Sequence, residues 1–109
     1  MKKICAGMVM SALLVWVAMS LAAEPRGSVV KVKIDNFSFS PQILTVPAGT
    51  TVTWTNNDDV PHTVVSTTKK FASKVMDTDD QFSFTFSDPG TFDYYCSVHP
   101  HMTGKVIVQ

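Results

Sequence analysis

The chain has 109 residues, with nine Lys/Arg against nine Asp/Glu and a formal net charge of zero with histidine neutral. That length allows one domain at most, and the even charge balance offers no basic stripe for nucleic acid. The first segment reads as separate from the domain. Lys2 and Lys3 open it, Ile4 to Ala23 carries no charge, and Met8 to Met19 is strongly apolar. Small residues follow in Ser20-Leu21-Ala22-Ala23, just before Glu24-Pro25. This is the layout of a secretory signal peptide, so residues 1–23 are expected to be cleaved and 24–109 to form the mature domain. The competing reading is a retained membrane anchor, since the run reaches the roughly 20 apolar residues that a span requires. Cleavage leaves 86 residues, with seven Lys/Arg against nine Asp/Glu and a net charge of −2. A domain of that size buries only about 60–65% of its unfolded surface, so stabilisation from a bound metal would matter.

The rest of the chain reads as short strands between turns. Val29 to Asp35 alternates, with Val30, Val32 and Ile34 on one face and Lys31 and Lys33 on the other. That is the period of a half-buried strand. Phe37 and Phe39 alternate with Ser38 and Ser40. Ile43 to Val46 is a short run closed by Pro47-Ala48-Gly49, and Thr50 to Asn56 has the Thr, Val and Trp content of a strand. Asn56 to Pro61 is turn-like, and His62 to Thr67 resumes β character. Lys69 to Asp80 mixes charges and suits a short helical turn or an irregular crossover. In Gln81 to Phe86 the residues Phe82, Phe84 and Phe86 share one side. Ser87-Asp88-Pro89-Gly90 is a turn, and Thr91 to Cys96 places Phe92, Tyr94 and Cys96 on one face. Gly104 to Val108 is the last strand. Seven or eight short strands with turn punctuation and no helical period predict an all-β sandwich or barrel, with Trp54, Phe82, Phe84, Phe86 and Phe92 in its core.

After removal of the leader, with its Cys5, one cysteine remains, Cys96. It has no internal disulfide partner, which leaves a buried apolar side chain or a thiolate protected by a metal. Its neighbours favour the metal. Cys96-Ser97-Val98-His99-Pro100-His101-Met102 places a histidine three residues on and a methionine six residues on, and a loop doubling back from a strand end can aim all three at one point. His62, in Val60-Pro61-His62-Thr63, joins them if both loops lie at the same end of the sandwich. Thiolate and thioether suit Cu(I), imidazole serves both copper states, and two His with one Cys and a weak axial Met is the blue-copper arrangement. Structural zinc favours four Cys or His ligands, and this chain does not supply them at the usual spacings.

In these residues the chain resembles the cupredoxin family, and its amicyanin-type members most closely. The resemblance covers most of residues 28–109. It is sharpest in Gly49 to Asn56, in Pro61-His62-Thr63-Val64, and from Phe84-Thr85-Phe86 to Gly104-Lys105-Val106. The two residues between His99 and Met102 match the short amicyanin-type loop. The resemblance implies a Greek-key β-sandwich with one copper at one end. It implies His62 as upstream ligand, Cys96 as thiolate, His99 as the more exposed histidine and Met102 as axial ligand. It also implies one-electron shuttling between transient redox proteins, in the periplasm, by a monomer without substrate turnover. The family often has Asn where this chain has Thr63. The Thr63 hydroxyl is expected to bond across to the Ser97 region and its N–H to reach the Cys96 sulfur. Val98 stands where the family often has Pro, so its N–H is expected to donate to the same sulfur.

An apolar rim of Val60, Pro61, Val98, Pro100 and Met102 is expected around His99. Asp58 and Asp59 are read as turn residues, or as charges selecting a basic partner. His101 is read as an exposed loop side chain. The second function is copper storage or delivery without redox cycling. An enzyme is disfavoured because, with His62 and His99 used, His101 alone remains for further metal.

Overall fold

The two-residue period of the sequence becomes the pleat of two facing sheets. A computed structural model describes residues 27–109, so the leader and its cleavage lie outside the described residues. The strands are β1 (Val29–Asp35), β2 (Ser38–Ser40), β3 (Ile43–Val46), β4 (Thr50–Asn56), β5 (Val65–Ser66), β6 (Gln81–Phe86), β7 (Gly90–Tyr95) and β8 (Thr103–Val108). One sheet has the order β2-β1-β4-β6 and the other β3-β8-β7-β5, which is the expected all-β sandwich. The pairings of β1 with β4 and of β3 with β8 are parallel, and the remaining pairings between named strands are antiparallel.

The core forms where the inward sides of the sheets meet. Val32 and Ile34 of β1, Val52 and Trp54 of β4, Phe86 of β6, Tyr94 of β7 and Val106 and Val108 of β8 are buried. Trp54 lies at the centre, its ring 5.3 Å from that of Tyr94 and 5.7 Å from that of Phe82. Burying one such side chain contributes roughly 1.5–3 kcal/mol before the entropy of ordering it. Phe82, Phe84 and Phe92 are partly buried against this cluster. Gly104 of β8 lies against Tyr94, whose ring occupies the space a Cβ would need.

Two segments depart from the sequence reading. His62 to Thr67 is not a continuous strand; only Val65–Ser66 pairs with β7, because the residues before it are turned toward the end of the sandwich. Lys69 to Asp80 is an irregular crossover with no helix. It runs back along the same segment through isolated bridges at His62–Met76 and Val65–Ala72. This charged stretch also supplies Phe71 and Met76 to the core, and Phe71 stacks on Trp54 at 5.8 Å.

Candidate metal centre

At one end of the sandwich the β4–β5 connection meets the β7–β8 loop. Asn56, the fully buried last residue of β4, organises the first of these. Its Nδ2 donates to the carbonyls of Val60 and Met76, both at 2.9 Å, and its Oδ1 accepts the Asp58 N–H at 2.9 Å. The turn so formed delivers His62, itself fully buried, and reciprocal backbone bonds to Met76 hold it there at 3.1 and 2.8 Å. The second loop closes on itself. Met102 N–H donates to His99 O, His99 N–H to Cys96 O, and Cys96 N–H to Met102 O. That last bond seats the buried Met102 backbone beside Cys96.

These two loops bring His62, Cys96 and His99 together, with one donor atom of each within 4.8 Å of the others. Cys96 Sγ lies 3.7 Å from His62 Nδ1 and 3.8 Å from His99 Nδ1. For a first-row ion bonded to nitrogen at about 2.0 Å and to sulfur at about 2.3 Å in a trigonal plane, the N···S separation comes to about 3.7 Å. Both sulfur–nitrogen separations match that value. Sulfur with two imidazoles is a donor set that copper favours.

The groups around the donors prepare them for a metal. Burial pushes the Cys96 thiol up. Hydrogen bonds led by that of the Thr63 N–H outweigh it, bringing the thiol from 9.0 down to about 6. A metal-binding cysteine must be a thiolate, and the lowered pKa favours that form. Thr63 meets both expectations placed on it. Its N–H donates to Cys96 Sγ at 3.3 Å, its oxygen accepts the Ser97 N–H at 2.7 Å, and it lies 2.8 Å from Ser97 Oγ. If Ser97 donates its hydroxyl proton to Thr63, the Thr63 hydroxyl is free to donate to the sulfur, 3.8 Å away. The expected Val98 N–H···S bond is absent among the described residues. The tight turn that sends His99 N–H to Cys96 O leaves the sulfur to Thr63.

Asp58 carries a role that its reading as a turn or partner-facing residue missed. It is buried, and its Oδ2 lies 2.9 Å from His62 Nε2. The same oxygen accepts the Phe37 N–H at 3.1 Å, and Oδ1 accepts the Asp59 N–H at 3.0 Å. The bond from His62 and then that from Phe37 hold the Asp58 carboxyl down at about 2, against the pull of burial. An ionised acceptor at Nε2 places the imidazole proton there and leaves the Nδ1 lone pair facing Cys96. The four-residue spacing of Asp58 and His62 was the available signal, but the same residues also suit an ordinary polar turn.

The rim also differs from expectation. Met102 is buried rather than part of the surface, since its loop folds under His99. His99 is half-buried, Pro61 and Pro100 are exposed, and Val98 is 48% exposed. Phe37, which the sequence reading did not place near the site, adds a 51% exposed ring beside His99. His101 is exposed, as expected.

A family model described as a cupredoxin-like domain matches residues 7–108. The amicyanin of Paracoccus versutus is 34% identical over 93 residues, covering 81% of this chain and 70% of that protein. Amicyanin-alpha of Methylorubrum extorquens is 37% identical over 90 residues, covering 78% and 75%. Among solved structures, a purple cupredoxin from Nitrosopumilus maritimus superposes with a TM-score of 0.70 at 37% identity, covering 73% of this chain and 99% of that one.

Proposed function

The chain belongs to the cupredoxin-like family and is a small blue-copper electron carrier rather than an enzyme, and we propose that His62, Cys96, His99 and Met102 hold its one copper ion. The observation that carries this assignment is the buried sulfur of Cys96 with an imidazole nitrogen 3.7 Å away on one side and 3.8 Å on the other. Bound there, copper supplies the Cu(I)/Cu(II) couple. His62 is the inner ligand, its ring oriented by Asp58. Cys96 is the thiolate, its charge stabilised by the Thr63 N–H. Met102 would supply the thioether ligand, its backbone held beside Cys96 by the closed loop.

His99 is the half-exposed ligand, and its edge is the crossing point for the electron. The apolar neighbours Phe37, Val98 and Pro100 suit a brief contact with a donor and then an acceptor. Such transient interfaces usually bury less than about 1,200 Å². The protein is read as a monomer that works in the periplasm after loss of residues 1–23, a reading supported by the pattern of the leader. The intact mass of protein isolated from its native host tests that part, since retention of residues 1–23 would favour the anchor.

The copper assignment is tested by adding one equivalent of Cu(II) and recording visible and EPR spectra for the parent and Cys96→Ala. An intense blue band with narrow hyperfine splitting, bleached reversibly by reductant and lost in the variant, is expected. A pale spectrum indifferent to Cys96 would defeat the assignment.

A further inference from the structure

The β1–β2 hairpin turns through Asn36 and Phe37, with φ angles of 51° and 57°. Two central residues at positive φ make the type I′ geometry, in which the second position favours glycine because a Cβ crowds the backbone. A bulky residue in this conformation is an outlier. The Phe37 ring is also 51% exposed, so burial gives it limited compensation. Backbone strain of this kind persists where the surroundings over-determine it, often at functional sites.

The contacts of Phe37 all lead to the metal centre. Its N–H donates to Asp58 Oδ2, the oxygen that also receives His62 Nε2. Its ring stands nearly perpendicular to both imidazoles, with centroids 5.6 Å from His62 and 5.0 Å from His99. The two histidines differ in what else holds them. The His62 ring is anchored by Asp58. The His99 ring, among the described residues, has no side-chain hydrogen bond beyond its 3.8 Å approach to Cys96, and its aromatic neighbours are Phe37 and His62. Phe37 also borders a cleft of about 150 Å³ that reaches His101 and Met102.

We propose that Phe37 is a positioning residue for the copper site: its ring, held on a strained turn by Asp58, fixes the plane of His99. A fixed His99 changes little between the two copper states, so electron exchange through its edge stays fast. A glycine would make the same turn with less strain and could do none of this. The inference rests on the copper assignment above.

The test uses the copper-loaded protein with Phe37→Gly, Phe37→Leu and Phe37→Tyr. The measurements are the thermal midpoint of the metal-free form, the Cu(II) EPR spectrum and the electron self-exchange rate from NMR line broadening. Glycine relieves the turn, so the metal-free midpoint should hold or rise. The self-exchange rate should nevertheless fall by about tenfold as two edge-on ring contacts are lost, and the EPR signal should split into more than one component. Leucine keeps bulk at the turn and should show the same fall in rate, while tyrosine should behave as the parent. Glycine and leucine variants with the parent's rate and a single EPR component would overturn the proposal. So would a lower midpoint with unchanged spectra and rate, which would assign Phe37 to ordinary packing. Failure of the copper assignment looks different, because the parent itself would then lack the blue band.

Discussion

The two histidines of the centre are held in opposite ways. His62 is fully buried, tied through its backbone to Met76 in both directions and through its ring to an ionised carboxylate. His99 is half-buried on a seven-residue loop, its ring steadied by an aromatic neighbour instead of a hydrogen bond. The inner arm is closed to solvent, with the Asn56 amide and the His62 backbone and ring each matched to a partner. The outer arm leaves one edge open to solvent. A carrier needs both, because a site rigid on all sides would bury its exit and a site open on all sides would reorganise with each electron.

Removing the anchor of the inner arm should have the largest effect. In Asp58→Ala both His62 Nε2 and the Phe37 N–H lose their acceptor in a buried setting. Loss of such an orienting partner typically lowers metal affinity by about 10–100-fold. Competition with a chelator of known affinity checks this, and an unchanged copper affinity would mean that the protein backbone alone orients His62. Asp58→Asn keeps an acceptor oxygen without the charge and should fall between the parent and alanine.

The link between the two arms is smaller in energy. Thr63 follows His62 and bonds to Ser97 in the other loop through its side chain, while its N–H serves the sulfur. Thr63→Val removes the side-chain bonds and keeps the N–H. Solvent can reach Ser97, so the expected loss in urea unfolding of the copper-free protein is about 1 kcal/mol. Thr63→Ser should restore it, and the blue band should persist in both variants. Equal losses in Thr63→Ser and Thr63→Val would place the effect in packing of the methyl group.

The same contrast decides what was legible in the sequence. The outer arm was legible because Cys96, His99 and Met102 lie in one short stretch, where spacing alone carries information. Strands β1 and β6 were legible because alternation survives without tertiary context, and β4 was legible from its Thr, Val and Trp content. The support of the inner arm was not. Asp58 looks like any turn aspartate until the fold turns it back onto His62. Phe71 sits in a charged stretch with no period, yet it stacks on Trp54 in the core. Phe37 belongs to a hairpin whose place over the metal centre depends on the pairing of β1 with β4. Each of these depends on contacts between separate segments, and periodicity within one segment does not report them.

A pH dependence is also expected in the metal-free protein, and its sign follows from Cys96. Burial works against the thiolate, but hydrogen bonds led by that of the Thr63 N–H prevail and hold the folded thiol at about 6, against an ordinary value of 9.0. Between those values the unfolded chain carries a proton that the folded chain has released, so stability rises with pH across this window. The contribution is complete above about pH 9 and is lost as pH falls through about 6. Urea midpoints measured under reducing conditions at pH 9 and pH 6 should therefore differ, with the higher midpoint at pH 9. Cys96→Ala should shrink that difference. If the variant keeps the full difference, the pH dependence does not originate at Cys96, and the hydrogen bonds to its sulfur are not what stabilise the folded metal-free protein.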